Sequence, residues 1–281
     1  RYLTAFLNAV ELRFSDMTDP KIKLILTKIL LPNAKDQAQI FYELDILKNT
    51  VHGVWTRIHS KYPFPKDKGI TLIMTGFDLW SANLIVGGTI TNSADKNGAC
   101  TKSEVGLCED DGLTFSGVGS AAQAVAQLLG AEHDFRNKNQ SCRNYHGYLL
   151  DSVNGTSVHY NLSDCGKQQI KKELEGSDRK RKNCLFGEPK IDKTVVKVPD
   201  SRELPFDFFS RTNPCNLLYG APSCEPWRNT TECKVECCLN KYVNKTANKH
   251  DGTPCGEKKI CSNGECISDP RKTGNLINKV E

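Results

Sequence analysis

Eight of the chain's 13 cysteines, Cys215, Cys224, Cys233, Cys237, Cys238, Cys255, Cys261 and Cys266, crowd into one short C-terminal stretch. A segment this small buries too little apolar surface to hold itself together, so covalent crosslinks must do it. The even number fits complete pairing and allows roughly a hundred connectivities. Zinc ligation is the competing use of clustered cysteines, but an oxidising compartment favours disulfides. Five Asn-x-Ser/Thr sequons, at Asn139, Asn154, Asn161, Asn229 and Asn244, agree with export. The expectation is a secreted, extracellular glycoprotein with a cysteine-rich module at 213–267.

The remaining length divides around that module. With 281 residues, one large domain precedes it, taken as 1–190, with a polar linker at 191–212 and a polar tail at 268–281. The balance of 38 Lys+Arg against 33 Asp+Glu gives a net charge of +5, too mild to argue for nucleic acid. No run of about 18 apolar residues exists, so no membrane span is expected. No signal peptide is visible, and the chain opens directly in a helical pattern at Tyr2, as a mature or truncated chain would.

Periodicity places the elements of the large domain. Tyr2, Leu3, Phe6, Leu7, Val10 and Phe14 fall at helical spacing, and Asp19-Pro20 closes that segment. Ile22, Leu24 and Leu26 alternate, which predicts a strand running to Leu31. Ile40, Leu44, Leu47, Val51, Val54, Trp55 and Ile58 predict a long second helix. Strands are expected at Ile70 to Thr75 and Leu84 to Thr91. A helix is expected over Ser116 to Leu129, capped by Gly130 in the left-handed conformation. One more helix is expected over Gln168 to Leu174.

The helix ending at Gly130 carries the most informative pattern. Its sequence from Gln123 is Gln-Ala-Val-Ala-Gln-Leu-Leu-Gly-Ala-Glu-His-Asp. This frame resembles the signature H-E-x-x-H-x-x-G-x-x-H-D of the reprolysin (adamalysin) branch of the metzincins. In the intact motif two histidines at i and i+4 share one helix face, and the glycine turns the chain to bring in a third. Three nitrogens then hold zinc with one position open for water, and the glutamate acts as general base. Here Gly130, His133 and Asp134 match. Gln123 and Gln127 stand at the first two ligand positions, and Ala124 stands at the base. A carboxamide is a weak, neutral ligand for zinc, and alanine has no atom that can take a proton. The expectation is therefore no catalytic zinc, no other cofactor and no peptide cleavage.

The resemblance extends over much of Tyr2 to Phe186, and is strongest to tick salivary reprolysin-like proteases. Tyr2 to Val10, Asp16 to Pro20, Met74 to Asp78, Val86 to Gly88, Val105 to Asp110 and Gly147 to Leu150 carry it, in order. His250 to Gly256 and Cys261 to Cys266 resemble the cysteine-rich region that follows the protease domain in that family. The resemblance implies an α/β metzincin fold, with a mostly parallel twisted sheet and two long helices. It implies bridges Cys100–Cys184 and Cys142–Cys165, and a first strand that would precede Arg1. It aligns Leu150 with the methionine of the turn under the zinc, although Leu149 and Leu150 also read simply as core. Cys108 is left without an obvious partner: free, paired with a preceding segment, or paired between chains. The implied function is binding of a host or other extracellular protein, with an active zinc endopeptidase of atypical site as the alternative.

Other chemistry-bearing residues read more simply. His52 and His59 belong to a helix surface or its packing. Cys142 lies four residues before His146, but the disulfide accounts for it. Glu109, Asp110 and Asp111 offer too few oxygens for a calcium cage and read as a solvated loop. Arg179 to Lys182 read as a solvated basic loop, with weak polyanion binding as its most that could be asked. No serine or cysteine nucleophile signature is present.

Overall fold

Val118–Leu129 carries an apolar or small residue at almost every position, so it is a core helix rather than an amphipathic one. In the computed structural model all its residues but Gly119 are buried. The structure describes residues 1–33, 35, 69–81, 88–90, 92–134, 147–151, 161–192, 202–227 and 231–272. The expected helix from Ile40 to Ile58 with His52 and His59 lies outside these. So do Cys142, His146, Asn139, Asn154, Asn229, and parts of the linker and tail. Two compact units form: 1–24 with 158–161 and 200–281, and 25–157 with 162–199.

The larger unit is built around a small mixed sheet. In order along the chain, its strands are β1 (Thr71–Thr75), β2 (Leu79–Ser81), β3 (Gly88–Ile90), β4 (Asn92–Ala94) and β5 (Val105–Glu109). β5 is buried from Val105 through Cys108, as a central strand covered on both faces must be. It pairs in parallel with β1, Thr71 opposite Val105, and antiparallel with β4, Asn92 opposite Cys108. Helix α2, the Val118–Leu129 segment, packs on β4 and β5. The approach is close: a Cβ built on Gly106 would lie 3.1 Å from Ala124 Cβ. β2 and β3 form a separate antiparallel pair.

Two helices complete this unit. Helix α3 (Asp164–Glu175) starts at Ser163, whose hydroxyl accepts from the Gly166 amide, and it buries Ile170 and Leu174. Helix α4 (Arg179–Phe186) starts at Asp178, whose carboxylate accepts from the Arg181 amide. Cys184 on α4 is bridged to Cys100. Cys165 on α3 is also in a disulfide.

Several expectations need correction here. The sheet around β5 is mixed, not mostly parallel, among the described residues. Ile22 to Leu31 alternates in exposure but has no strand partner among them. Periodicity of two reports a half-buried extended chain, and only a neighbouring strand makes it a ladder. The basic run Arg179 to Lys182 is the first turn of α4, not a loop. Arg181 is buried and donates from Nε to the Ala99 carbonyl at 3.0 Å, which removes one of the four charges from any polyanion surface.

The smaller unit groups residues 1–24 with the cysteine-rich residues. Helix α1 (Tyr2–Leu12) buries Ala5, Phe6, Ala9, Val10 and Leu12. Short helices α5 (Pro205–Phe209) and α6 (Pro214–Tyr219) precede a hairpin of β6 (Lys234–Cys238) and β7 (Asn244–Asn248). A three-stranded antiparallel sheet follows, from β8 (Pro254–Gly256), β9 (Lys259–Ser262) and β10 (Glu265–Ser268). Bridges Cys215–Cys237, Cys224–Cys238, Cys233–Cys261 and Cys255–Cys266 hold it. Helix α1 belongs to this unit with the cysteine-rich residues, where Arg13 at its end forms a buried ion pair with Asp251, Nη2 to Oδ2 at 2.6 Å. Arg13 also donates to Ser262 Oγ, and Asp251 accepts from the Asn263 amide at 2.7 Å.

Two outcomes are expected from this unit. Arg13→Leu leaves the Asp251 carboxylate buried and unpaired, and should lower unfolding stability by about 3 kcal/mol in denaturant titrations. His250 packs against Phe209 at 4.9 Å between ring centroids, and burial holds its pKa down at about 4 despite nearby Asp251. The unfolded chain binds this proton near pH 6.5 and the folded one only near 4. Stability should therefore be full above pH 6.5 and fall, by about 3 kcal/mol, as pH drops towards 4. His250→Phe should flatten that slope in melts recorded across the window.

Candidate functional site

The site is assembled by the end of α2 and the turn at 147–151. Gly130 closes the helix at φ 117°, with its amide bonded back into the last turn. No side chain fits there, since a Cβ would lie 2.6 Å from Glu173 Cγ. The turn sends the chain back so that His133 and Asp134 face residues of α2 and the 147–151 turn. Asp134 donates its amide to the Leu150 carbonyl at 3.1 Å. Leu149 and Leu150 are both fully buried beneath.

The polar side chains at this corner are engaged with one another. Gln123, fully buried, accepts from Asn92 Nδ2 of β4 at 2.5 Å and donates to the Leu149 carbonyl at 2.5 Å. It thereby ties α2 to an edge strand and to the turn. Gln127 Nε2 lies 2.7 Å from His133 Nε2, and His133 Nδ1 lies 3.1 Å from the Leu150 carbonyl. A carbonyl can only accept, so Nδ1 carries the hydrogen. In the neutral ring Nε2 then presents its lone pair, and the Gln127 amide donates into it. Turning the Gln127 amide over would set two lone pairs against each other.

Asp134 lies deeper in the same corner. Ser163 Oγ donates to its Oδ1 at 2.6 Å. Burial pushes the Asp134 carboxyl above the usual range, the Ser163 bond opposes this, and Asp151 adds to it. Ala124 is fully buried against Gly106 of β5, so the general-base position of the motif holds a methyl group packed on a strand.

The motif positions expected from sequence thus meet in space: Gln123, Gln127, His133, Asp134 and Leu150 form one connected corner. A catalytic zinc on this frame needs three imidazoles with free lone pairs. The side chains present do not fit that requirement. Two donor positions carry carboxamides, and the one imidazole offers its Nε2 to Gln127. Gln127 Oε1 has no hydrogen-bond partner among the described residues, but one neutral oxygen is not a zinc site.

Sequence reasoning missed the partners of these groups. Asn92, Ser163 and the Leu149 carbonyl come from three distant segments, and no spacing rule connects them. Capping chemistry could have found one of them, since Ser163 is the N-cap of a helix that starts four residues before the expected Gln168. The acidic run resolves into a turn: Asp110 accepts from the Gly112 and Gly117 amides, and Asp111 from those of Leu113 and Thr114. Cys108 is free, and fully buried. Burial, with Asp110 and Glu109 nearby, pushes its thiol up to about 12, so it is no nucleophile at neutral pH.

Comparison with known proteins bears on what this corner is. No protein-family model matches the chain. The chain is similar to "A disintegrin and metalloproteinase with thrombospondin motifs like" of Bombyx mori, 24% identical over 96% of this chain and 41% of that protein. It is similar to "A disintegrin and metalloproteinase with thrombospondin motifs 18" of Mus musculus, 25% identical over 95% of this chain and 22% of that one. It is also similar to "Venom metalloproteinase 3" of Eulophus pennicornis, 28% identical over 48% of this chain and 33% of that one. Its homologues are metalloproteinases. They belong to the reprolysin branch of the metzincins, at about 25% identity. The chain spans between about a fifth and two fifths of the length of these relatives. No helix among the described residues is long and apolar enough to cross a membrane, and the disulfides are compatible with a secreted protein.

Gln123→Ala should leave the Leu149 carbonyl and the Asn92 amide buried without partners. Two such losses should cost about 3 kcal/mol together, read as an earlier denaturant midpoint. An unchanged midpoint would show that Gln123 does not hold the turn to the helix.

Proposed function

We propose that this chain is an exported protein on a reprolysin scaffold that neither holds catalytic zinc nor cleaves peptides, and that it acts by binding an extracellular protein. One observation carries the reading: the Gln127 amide occupies His133 Nε2 at 2.7 Å, the atom with which that histidine would bind metal. Ala124 supports it, because hydrolysis by a metal-bound water also needs a group to take the proton. We propose a host protein as the partner, on the resemblance of the sequence motifs to those of tick salivary reprolysin-like proteases. The names of the relatives support the scaffold, and the alternative is that this chain shares their proteinase activity through an atypical site.

The two readings separate on metal content and cleavage. Protein purified without chelators should contain far less than one zinc per chain by plasma mass spectrometry. It should leave casein and gelatin intact, with or without added zinc. Near-stoichiometric zinc with chelator-sensitive cleavage would establish the alternative. In the double variant Gln123→His with Gln127→His, zinc should bind by calorimetry if only the ligands, and not the frame, have been lost.

A further inference from the structure

The β6–β7 hairpin presents a feature that the proposed function does not use. Its strands pair Cys238 with Asn244 and Glu236 with Thr246, and bridges from Cys237 to Cys215 and from Cys238 to Cys224 fix the end that carries the loop. The loop closes through the Leu239 amide, bonded to the Val243 carbonyl at 3.0 Å. The Tyr242 amide donates to Asn240 Oδ1 at 2.8 Å. On this fixed loop the Tyr242 side chain is 94% exposed. Nothing among the described residues stacks on it. Tyr219 differs: its hydroxyl reaches the Thr246 carbonyl at 3.4 Å, and Lys245 Nζ lies over its ring.

Tyr242 stands two residues before Asn244, which opens the sequon Asn244-Lys245-Thr246. Asn244 and Thr246 lie two apart on one face of β7, both exposed. Among the described residues the Asn244 side-chain amide makes only a long contact, donating to Glu236 Oε1 at 3.4 Å. The other sequon wholly among the described residues is committed to the fold. There the Asn161 amide donates to Asp16 at 2.8 Å, Leu162 is fully buried, and the Ser163 hydroxyl is bonded to Asp134.

We propose that Asn244 is an N-glycosylation site and that the exposed ring of Tyr242 is the platform for its first sugar. The proposal rests on the export reading. The Asn244 amide nitrogen bonds to the anomeric carbon of a lipid-diphosphate-linked oligosaccharide. The bond from that carbon to the diphosphate oxygen breaks, the lipid diphosphate leaves with the electron pair, and the proton given up by the amide leaves with the diphosphate. The polarised C–H face of the attached pyranose then meets the negative face of the Tyr242 ring. This covers an aromatic surface that is otherwise bare in water, and the rigid loop means little entropy is lost in holding it there.

The full 281-residue chain, exported from a eukaryotic cell behind an added leader, provides the test. Enzymatic deglycosylation in heavy-oxygen water, followed by peptide mass spectrometry, should place the label at Asn244. Asn244→Gln should lower the unfolding midpoint of the glycosylated protein by about 3 °C. It should change little in a Tyr242→Ala background, while a Tyr242→Phe background keeps the effect. An unlabelled Asn244 in exported, disulfide-bonded protein would overturn the proposal. So would an effect of Asn244→Gln that Tyr242→Ala leaves intact. The added leader makes this result independent of natural export, whose failure would show separately as reduced module cysteines in protein from its source.

Discussion

The contact between Gln127 and His133 decides how the centre of the larger unit is put together. A histidine returning under the end of α2 needs a partner for each ring nitrogen, because both are buried. The Leu150 carbonyl takes one and the Gln127 amide takes the other. Gln123 repeats the arrangement one turn earlier, between Asn92 and the Leu149 carbonyl. Helix, edge strand and turn are thus joined by neutral hydrogen bonds. A metal ion on this frame would instead join the helix to the segment after Gly130 through imidazole lone pairs, and it also needs an open coordination position and a base nearby. The carboxamide arrangement needs neither, and Ala124 sits comfortably against β5.

That arrangement explains why the frame of the motif survives without its ligands. Gly130 is fixed by backbone geometry and by Glu173, which fills the space a side chain would need. Asp134 is fixed by Ser163 and by its own amide bond to Leu150. These constraints come from the fold and persist whatever side chains stand at 123, 124 and 127. The two ligand positions and the base position are the ones that depart from the signature, and the residues there now serve packing and hydrogen bonding instead.

What the sequence revealed follows the same division. Local rules located α2, its glycine cap, β1 and the α3 region, because each depends on neighbours within a few residues. They failed where a distant partner decides. Ile22 to Leu31 alternates like a strand but has no ladder among the described residues. Arg179 to Lys182 reads as a charged loop, yet Asp178 caps it into a helix and Ala99 takes in Arg181. The placement of α1 with the cysteine-rich residues depends on Arg13 meeting Asp251, more than two hundred residues away. Spacing brought the motif positions into one frame, but it could not show that Asn92, Leu149 and Ser163 would satisfy them.

Whether His133 Nε2 is held by Gln127 or open to metal is measurable at that nitrogen itself. Nitrogen-15 NMR of the His133 ring reports the protonation of each nitrogen and any metal bound to it. The expected result is a protonated Nδ1 and an unprotonated Nε2 that accepts a hydrogen bond, with neither resonance moved by an equivalent of zinc. A Nε2 resonance that shifts to a metal-bound position as zinc is added would contradict it.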